Sequence, residues 1–173
     1  MMVAVRASDE ERRTHGDGAT RRRQSVYKHI LIATDGSELA ARGVTAGLGL
    51  AAKVGAAVTL LSVVEPLSND AALVARSEGV RDPAGSYDRQ IDEKMRERFT
   101  TIEQEAERFG IKVDMLHEID QSPAEAIVRV AKLRGCDLID MASHGRRGLR
   151  RMMLGSQTSE VVASTDVPVL VIR

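Results

Sequence analysis

The sequence DLIDMASHGRRGLRRMMLGSQTSEVV (residues 137–162) contains a short apolar segment, a glycine-containing turn and the start of a helix. The apolar segment, residues 138–141, has the length of a strand, and residues 142–145 (ASHG) form the turn. Gly155 and Ser156 then open the last helix of the chain. Unpaired N–H groups and the helix dipole attract phosphate at such a junction. Gly and Ser are also what an ordinary turn and N-cap require, so this stretch alone indicates either a phosphate loop or a plain connection.

Composition limits the classes of protein that this chain can represent. Its 173 residues fit one domain, and its 25 basic residues balance 25 acidic ones, which argues against nucleic acid or an anionic membrane as the main partner. Trp is absent and other aromatic residues are few, so platforms for stacking single-stranded bases are scarce. No apolar run has membrane-spanning length and no secretory signal is visible, so we expect a cytoplasmic protein. The single cysteine, Cys136, is interpreted as a buried apolar residue rather than a catalytic thiol.

The N-terminal residues differ in character from the rest. Residues 1–26 are polar and arginine-rich without sustained apolar periodicity, which predicts a disordered tail, and residues 27–173 then form one domain. The run from Arg21 to Arg23 has an alternative interpretation as a basic contact or a kinase target. A further alternative is that the tail reflects the choice of gene start.

The first half of the domain alternates between strand and helix patterns. Residues 29–34 (HILIAT) and 57–64 (AVTLLSVV) predict strands, and the helix between them begins after Ser37 and ends at Gly55. The polar segment 66–87 predicts either a mobile lid or a partly helical connection.

The second half repeats the alternation. Apolar periodicity from Ile91 predicts a helix that Gly110 ends, and residues 111–119 alternate as a half-exposed strand at a sheet edge. Ser122 begins the next helix as its N-cap, with Pro123 and Glu125 completing the signal, and Gly135 ends it. Residues 167–172 predict a last strand, and the proline inside it, Pro168, indicates a sheet edge.

Five strands alternating with helices predict a doubly wound α/β fold, an open sheet of five parallel strands in the order 3-2-1-4-5 with helices on both faces. In such Rossmann-like sheets ligands bind beyond the carboxyl ends of the strands, where the winding direction reverses. The loops at residues 34–37 and 142–145 then face each other across one crevice and build one site.

The chain from Tyr27 to Arg173 resembles the universal stress protein family, whose domain is a nucleotide-binding α/β fold. The resemblance rests on YKHILIATDGSE, LLSVVEP, DLIDMASHGRRG, the Gly155-Ser156 pair after nine intervening residues, and the closing VPVLVIR. It implies that the protein binds ATP, with Mg²⁺, or AMP or ADP, and that it is a homodimeric stress-response protein. The implied dimer contact is the C-terminal edge strand, formed by Val167, Pro168, Val169, Leu170 and Val171.

In ATP-binding members the motif is a glycine, two residues, a second glycine, nine residues, and then Gly-Ser or Gly-Thr. The resemblance assigns Gly155 and Ser156 to phosphate oxygens, Asp35 to the adenosine part, and Val63 and Met141 to the adenine. The whole set of implied nucleotide-binding residues is Ala33, Thr34, Asp35, Val63, Met141, Ala142, Ser143, His144, Gly145, Arg146, Gly148, Gly155, Ser156, Gln157 and Thr158.

The chain departs from this motif at its first glycine, where it carries Ala142. Glycine at this position allows either a left-handed backbone or a close approach of the backbone to the ligand. Alanine in a left-handed conformation costs about 1 kcal/mol, and its methyl group would touch ribose or phosphate, so we expect weaker binding but not its loss. The arginines at 146, 147, 150 and 151 are either a solvated loop or donors to polyphosphate. His144 is interpreted as a ligand contact, and His117 as a structural histidine.

Three functions compete. The first is a nucleotide-binding stress protein, and the second is a dimeric interaction module of the same fold without nucleotide, which Ala142 favours. The third is a slow ATP hydrolase, for which the sequence offers no evident general base, nucleophile set or metal-ligand cluster. We therefore expect no catalytic residues and no metal held by protein side chains alone. Protein partners are not predicted.

Overall fold

The computed structural model describes residues 26–144 and 154–173, and it has alternating strands and helices in this range. The strands are β1 (His29–Ala33), β2 (Ala57–Val64), β3 (Val113–Ile119), β4 (Leu138–Ala142) and β5 (Val169–Ile172). The helices are α1 (Glu38–Val54), α2 (Asn69–Ser77), α3 (Pro83–Arg108), α4 (Pro123–Arg134) and α5 (Ser156–Ser164).

The strands form one parallel sheet in the order β3-β2-β1-β4-β5, which confirms the predicted order. β1 lies between β2 and β4, so the winding direction of the sheet reverses there. The loops that follow β1 and β4 therefore diverge and leave a crevice at the carboxyl ends of these strands. β3 and β5 are the two edge strands, as predicted.

Two apolar layers cover the sheet. On one face α1 and α3 bury side chains such as Leu48 and Ile102 against Ile32 of β1. On the other face α4 and α5 bury Ile127 and Val161 against the sheet. The buried, strand-rich centre matches the continuous apolar runs that mark a parallel sheet covered on both sides.

The caps of α1 follow the sequence signals closely. The side chain of Ser37 accepts a hydrogen bond from the Ala40 N–H at 3.2 Å, and Gly55 ends the helix in a left-handed conformation with φ of 71°. Glycine adopts this conformation without the penalty that a Cβ atom imposes.

The segment 66–87 is partly helical, and α3 begins at Pro83 instead of Ile91. The Asp82 carboxylate accepts a hydrogen bond from the Gly85 N–H at 3.0 Å, and Pro83 occupies the first turn. A side-chain cap followed by proline is sufficient to start a helix before its apolar periodicity begins.

Two other local expectations are met in part: the last strand begins later than predicted, and the predicted N-cap position of Ser122 is confirmed without a side-chain bond. Pro168 lies just before β5 rather than inside it, and its carbonyl accepts a hydrogen bond from the Ile139 N–H at 2.9 Å. Ser122 occupies the N-cap position of α4, but its side chain makes no capping hydrogen bond. Its own N–H donates to the Asp120 carboxylate at 2.9 Å.

The two residues that the sequence assigned to structural roles lie in structural surroundings. Cys136 is 6% exposed, and burial raises the pKa of its thiol to about 11, so little thiolate exists at neutral pH. The Nε2 atom of His117 lies 3.0 Å from the Asp92 carboxylate, which ties β3 to α3.

Candidate functional site

A cavity of about 470 Å³ opens at the carboxyl ends of β1, β2 and β4. This is the point where the strand order reverses, so the chain after β1 and the chain after β4 leave towards opposite faces of the sheet. The lining residues are Ala33, Thr34, Asp35, Ala40, Leu61, Ser62, Val63, Val64, Glu65, Tyr87, Pro123, Ile127, Met141, Ala142, His144, Gly155, Ser156, Gln157 and Thr158.

Most residues implied by the resemblance meet at this cavity. The members that line it are Ala33, Thr34, Asp35, Val63, Met141, Ala142, His144, Gly155, Ser156, Gln157 and Thr158. Ser143 is 2% exposed and is not among the lining residues. Gly145, Arg146 and Gly148 lie outside the described residues, as do Arg147, Arg150 and Arg151.

The backbone at Ala142 differs from the expectation. Ala142 is the last residue of β4 and pairs with Ile172 of β5, so it has an extended conformation and not a left-handed one. The expected strain of about 1 kcal/mol therefore does not arise, because extended backbone accepts any side chain. Its methyl group contributes to the cavity wall.

The turn after β1 presents Asp35 to the cavity through a series of short-range hydrogen bonds. The Thr34 hydroxyl accepts from the Gly36 N–H at 3.2 Å, and the Asp35 carboxylate accepts from the Ser37 N–H at 3.0 Å. Gly36 has φ of 76°, and a Cβ at this position would overlap the guanidinium group of Arg98. The positive φ makes glycine the residue that fits this turn, whereas the flexible Arg98 side chain could move aside.

The other side of the cavity is the N-terminus of α5. Gly155 is its N-cap residue, and the Gly155 N–H donates to the Ser143 carbonyl at 2.8 Å. A Cβ on Gly155 would lie 3.2 Å from that carbonyl oxygen, so glycine permits the close approach between this helix and the end of β4. Without a capping side chain on Gly155, the first-turn N–H groups of α5 are directed at the cavity with the positive end of the helix dipole.

Two residues implied as ligand contacts also have structural hydrogen bonds. The Thr158 hydroxyl donates to the Ala142 carbonyl at 3.0 Å and lies 3.3 Å from the Ser143 carbonyl, which holds α5 against the end of β4. The Gln157 Oε1 atom accepts from the Ala124 N–H at 2.9 Å. Gln157 thereby supplies the capping bond of α4 that the Ser122 side chain does not make.

His144 lies at the cavity wall beside the turn that follows β4. Its Nδ1 atom and the Ser143 hydroxyl are 3.1 Å apart and form a hydrogen bond. This bond orients the ring, so the pair Ser143 and His144 forms the edge of the site from which the chain leaves towards α5.

Several lining residues escaped the sequence interpretation. They are Ala40, Leu61, Ser62, Val64, Glu65, Tyr87, Pro123 and Ile127. Four of them, Leu61, Ser62, Val64 and Glu65, lie within LLSVVEP, a segment on which the resemblance already rested. Their position beside Val63 at the end of the same strand could have indicated that they line the site. Nothing in the sequence marked Tyr87 as a site residue; Asp82 and Pro83 indicate only that a helix begins shortly before it.

A buried carboxyl group below the cavity was also missed. Asp140 lies in the middle of β4 and is fully buried, and neither of its carboxyl oxygens has a hydrogen-bond partner among residues 26–144 and 154–173. Its surroundings are Gly43 and Gly47 of α1, with Ile32 and Leu170 beside it on the neighbouring strands. Burial raises the pKa of Asp140 to about 7.

Two negative findings apply to the described part of the chain only. No helix there is long and apolar enough to cross a membrane. The same residues contain no group of three or more His, Cys, Asp or Glu side chains arranged to hold a metal ion.

Residues 26–173 match the model of the Universal stress protein family. Universal stress protein MJ0531 of Methanocaldococcus jannaschii is 31% identical, with 87% of this chain and 84% of the relative covered. Universal stress protein MJ0577 of the same organism is 31% identical, with 86% of this chain and 96% of the relative covered.

Solved structures have the same architecture. The structure of MJ0577 has a TM-score of 0.69 and 30% identity, and the match covers 84% of this chain and 95% of that one. A universal stress protein in complex with cAMP has a TM-score of 0.59 and 25% identity, over 86% of this chain and 99% of that one. The protein therefore belongs to the universal stress protein family.

Proposed function

We propose that this protein binds an adenine nucleotide in the cavity at the carboxyl ends of β1, β2 and β4. The observation that carries the proposal is the chemical division of the cavity. Its β2 side is lined by Val63, Leu61 and Ile127, whereas its far side is the uncapped N-terminus of α5 at Gly155 and Ser156. An apolar end suits a base, and a helix N-terminus suits a phosphate.

The dimensions support the same orientation. The cavity extends from β2 across β1 to β4, and neighbouring strands are about 4.8 Å apart, so its two ends are separated by roughly 10 Å. In this orientation the base lies over Val63 at the β2 end, and the phosphates meet the N–H groups of α5 beyond the end of β4. The Asp35 carboxylate, between these ends on β1, accepts hydrogen bonds from the ribose hydroxyls.

We propose ATP as the specific ligand, and AMP and ADP as shorter ligands that bind to the same site. Asp35 and Glu65, the two carboxylates that line the cavity, follow different strands, and the described residues contain no cluster of three metal-binding side chains. We therefore propose that any Mg²⁺ is carried by the phosphates and water. A relative of the family was solved in complex with cAMP, which supports an adenine ligand here. The extended backbone at Ala142 removes backbone strain as a reason for favouring a module without nucleotide.

We further propose that two copies of the chain pair through β5, in a cytoplasmic stress-response role. β5 is an edge strand of four half-buried apolar residues, and Val162 of the adjacent helix α5 is 46% exposed. An unpaired edge with apolar side chains is a favourable surface for strand addition.

Ligand identity is tested first by extracting small molecules from freshly purified protein and identifying them by mass spectrometry. Isothermal titration calorimetry with ATP, ADP, AMP and tripolyphosphate then gives affinities. We expect saturable binding of the nucleotides and loss of binding in Gly155→Val, since even a Cβ would approach the Ser143 carbonyl closely. No saturable heat with any nucleotide at millimolar concentration would refute the proposed function.

A matched pair of serines on α5 locates the phosphate. Ser156 lines the cavity, whereas Ser159 is exposed on the same helix and is not a lining residue. Ser156→Ala is expected to weaken nucleotide binding at least about tenfold, because it removes one hydrogen bond to a charged group, and Ser159→Ala is expected to leave binding unchanged. Equal affinities in both variants would move the phosphate away from α5.

A further inference from the structure

Tyr87 occupies a distinctive place at the base end of the cavity. It lies near the start of α3, is half-buried, and lines the cavity next to Val64 and Glu65 at the end of β2. Among the lining residues of the described chain it is the sole Phe, Tyr or Trp, and the imidazole of His144 lies at the other end, after β4. The sequence has only two Tyr, two Phe and no Trp, so an aromatic ring at this point is notable.

The other aromatic rings lie elsewhere. Tyr27 and Phe99 pack against the core on the α1 and α3 face of the sheet, and Phe109 lies against Gly49 of α1. Their positions serve packing between helices and sheet. Tyr87 therefore differs from them in facing a cavity.

A hydrogen bond fixes the ring of Tyr87. Its hydroxyl donates to the backbone carbonyl of Glu65 at 2.7 Å, although the two residues are 22 positions apart. The start of α3 is itself anchored, because Pro83 is buried and Asp82 caps the helix. The ring is thus held from both ends at the mouth of the cavity.

The intervening chain does not supply this anchoring. Helix α2, which lies between Glu65 and Tyr87 in sequence, has no buried residue. The phenol of Tyr87 thus forms a direct hydrogen bond between the end of β2 and the beginning of α3 across this exposed helix. A role limited to that connection would need only the hydroxyl and no exposure of the ring to the cavity.

The ring also faces the cavity from a different layer than the aliphatic wall. Met141 and Ile127 belong to the layer of α4 and α5, whereas α3 packs on the opposite face of the sheet. A planar base between these walls has aliphatic contacts on one side and a π-face on the other. Stacking between a base and an aromatic ring is worth about 1 to 3 kcal/mol per base by alanine substitution.

We propose that Tyr87 is the aromatic wall of the base subsite and a specificity-determining residue of this protein, favouring ligands with a nucleobase over bare sugar phosphates. The inference depends on the proposed nucleotide site, because a base must occupy the β2 end for the ring to stack on it. The Glu65 carbonyl positions the ring, and Val63 and Ile127 supply the opposite contacts.

The absence of tryptophan makes the test direct. In Tyr27→Phe, Tyr87 is the sole tyrosine and its fluorescence reports on the site alone. Titration of this variant with AMP is expected to quench the emission saturably, with the same Kd as calorimetry. Tyr87→Phe, in which Tyr27 is the sole emitter, is expected to show no saturable quenching.

Affinities separate a stacking role from a structural one. Tyr87→Leu is expected to weaken AMP binding about tenfold and to leave the affinity for ribose 5-phosphate, measured by calorimetry, unchanged. Tyr87→Phe is expected to retain most of the AMP affinity, because it keeps the ring. If the ring only connects β2 to α3, Tyr87→Phe and Tyr87→Leu should be equally damaging, and both should weaken the binding of AMP and of ribose 5-phosphate to the same extent.

The outcomes also distinguish this inference from the function that it rests on. If the wild type binds AMP by calorimetry but Tyr27→Phe is not quenched and Tyr87→Leu binds normally, the inference is wrong and the nucleotide site remains. If the wild type binds no nucleotide, both are wrong. Should Tyr87→Leu fail to fold, the emission of Tyr27→Phe decides alone, because that variant retains the native ring.

Discussion

Gly47 of α1 packs directly on the carboxyl group of Asp140 in β4, so that a Cβ on Gly47 would lie 2.8 Å from Oδ2 of Asp140. The same Cβ would lie 2.7 Å from the end of the Ile32 side chain. The closeness of α1 to the sheet at this point therefore depends on the absence of a side chain at residue 47.

We predict that Gly47→Ala destabilises the protein by about 1 kcal/mol in chemical denaturation. Overpacking a filled core costs about 1 to 3 kcal/mol, which exceeds the gain of up to about 1 kcal/mol from replacing glycine in a helix interior.

Gly43 is the matched control, because it lies one turn earlier on the same buried face of α1. A Cβ there would have only ordinary contacts, at 3.8 Å from the Ala142 nitrogen and from Oδ1 of Asp140. Gly43→Ala should therefore stabilise the protein by about 0.5 to 1 kcal/mol. The same sign for both variants would contradict the packing of α1 described here.

The pKa of Asp140 predicts a pH dependence of folding. Burial raises this pKa from 3.8 to about 7, so between these values the folded protein keeps a proton that the unfolded chain has released. The free energy of unfolding consequently falls as pH rises through this window, by up to about 1.4 kcal/mol per pH unit, and levels off above it. The side chains facing the carboxyl, those of Ile32 and Leu170, carry no charge that would offset this effect.

Asp140→Asn isolates this contribution, because the amide is neutral at every pH and all other acidic groups are the same in the variant and the wild type. Urea denaturation of both proteins between pH 4 and pH 8 should give a steeper decline for the wild type than for Asp140→Asn. Parallel curves would mean that the carboxyl titrates with an ordinary pKa, and the buried position would then need revision.

The bond between Gln157 and Ala124 predicts an unequal pair of variants at the start of α4. Gln157→Ala leaves the fully buried Ala124 N–H without its acceptor and should destabilise the protein without ligand by about 1 to 2 kcal/mol. Ser122→Ala should cost less than about 0.5 kcal/mol, since that side chain makes no capping bond. Gln157→Glu keeps an acceptor oxygen and should restore most of the loss.

If Ser122→Ala lowers the free energy of unfolding more than Gln157→Ala does in the same experiment, the Ser122 side chain and not Gln157 caps α4. That outcome would also detach Gln157 from α4 and leave it as a ligand contact alone.

The parts of the fold that were predictable share one physical origin, namely signals that are local in sequence. Continuous apolar runs predicted the bounds of β2, and the capping residues Ser37 and Gly55 predicted both ends of α1. The order of strands followed from alternation of elements and from the resemblance. The start of α3 was missed because its first two turns carry a cap, Asp82, and a proline but no apolar stripe.

The parts that were not predictable depend on contacts between distant residues. The bond from Ala124 to Gln157 joins residues 33 apart, and nothing near Ser122 indicates that its own hydroxyl is not used. Asp140 is a polar residue within a short apolar segment, and its full burial is evident only once β4 is seen to be covered by α1. Tyr87 reaches the cavity only through the tertiary contact of α3 with Glu65. Backbone conformation at Ala142 likewise needed the pairing with β5.

The last prediction concerns the edge strand β5 and the proposed dimer. The carbonyls of Pro168 and Ile172 accept hydrogen bonds from β4, so backbone groups of even-numbered residues face the sheet interior. Because successive residues in a strand point their N–H and carbonyl groups in opposite directions, those of Val169 and Val171 face outwards. They are the groups available to a partner strand.

Val171→Pro removes one outward N–H without breaking the hydrogen bonds to β4, which is the position at which an edge strand tolerates proline. Val171→Ala is the control, since it shortens the side chain and keeps the N–H. Multi-angle light scattering should report a dimer for the wild type and for Val171→Ala, and a monomer for Val171→Pro. A dimer in all three proteins would place the interface away from β5, and a monomeric wild type would refute the proposed pairing altogether.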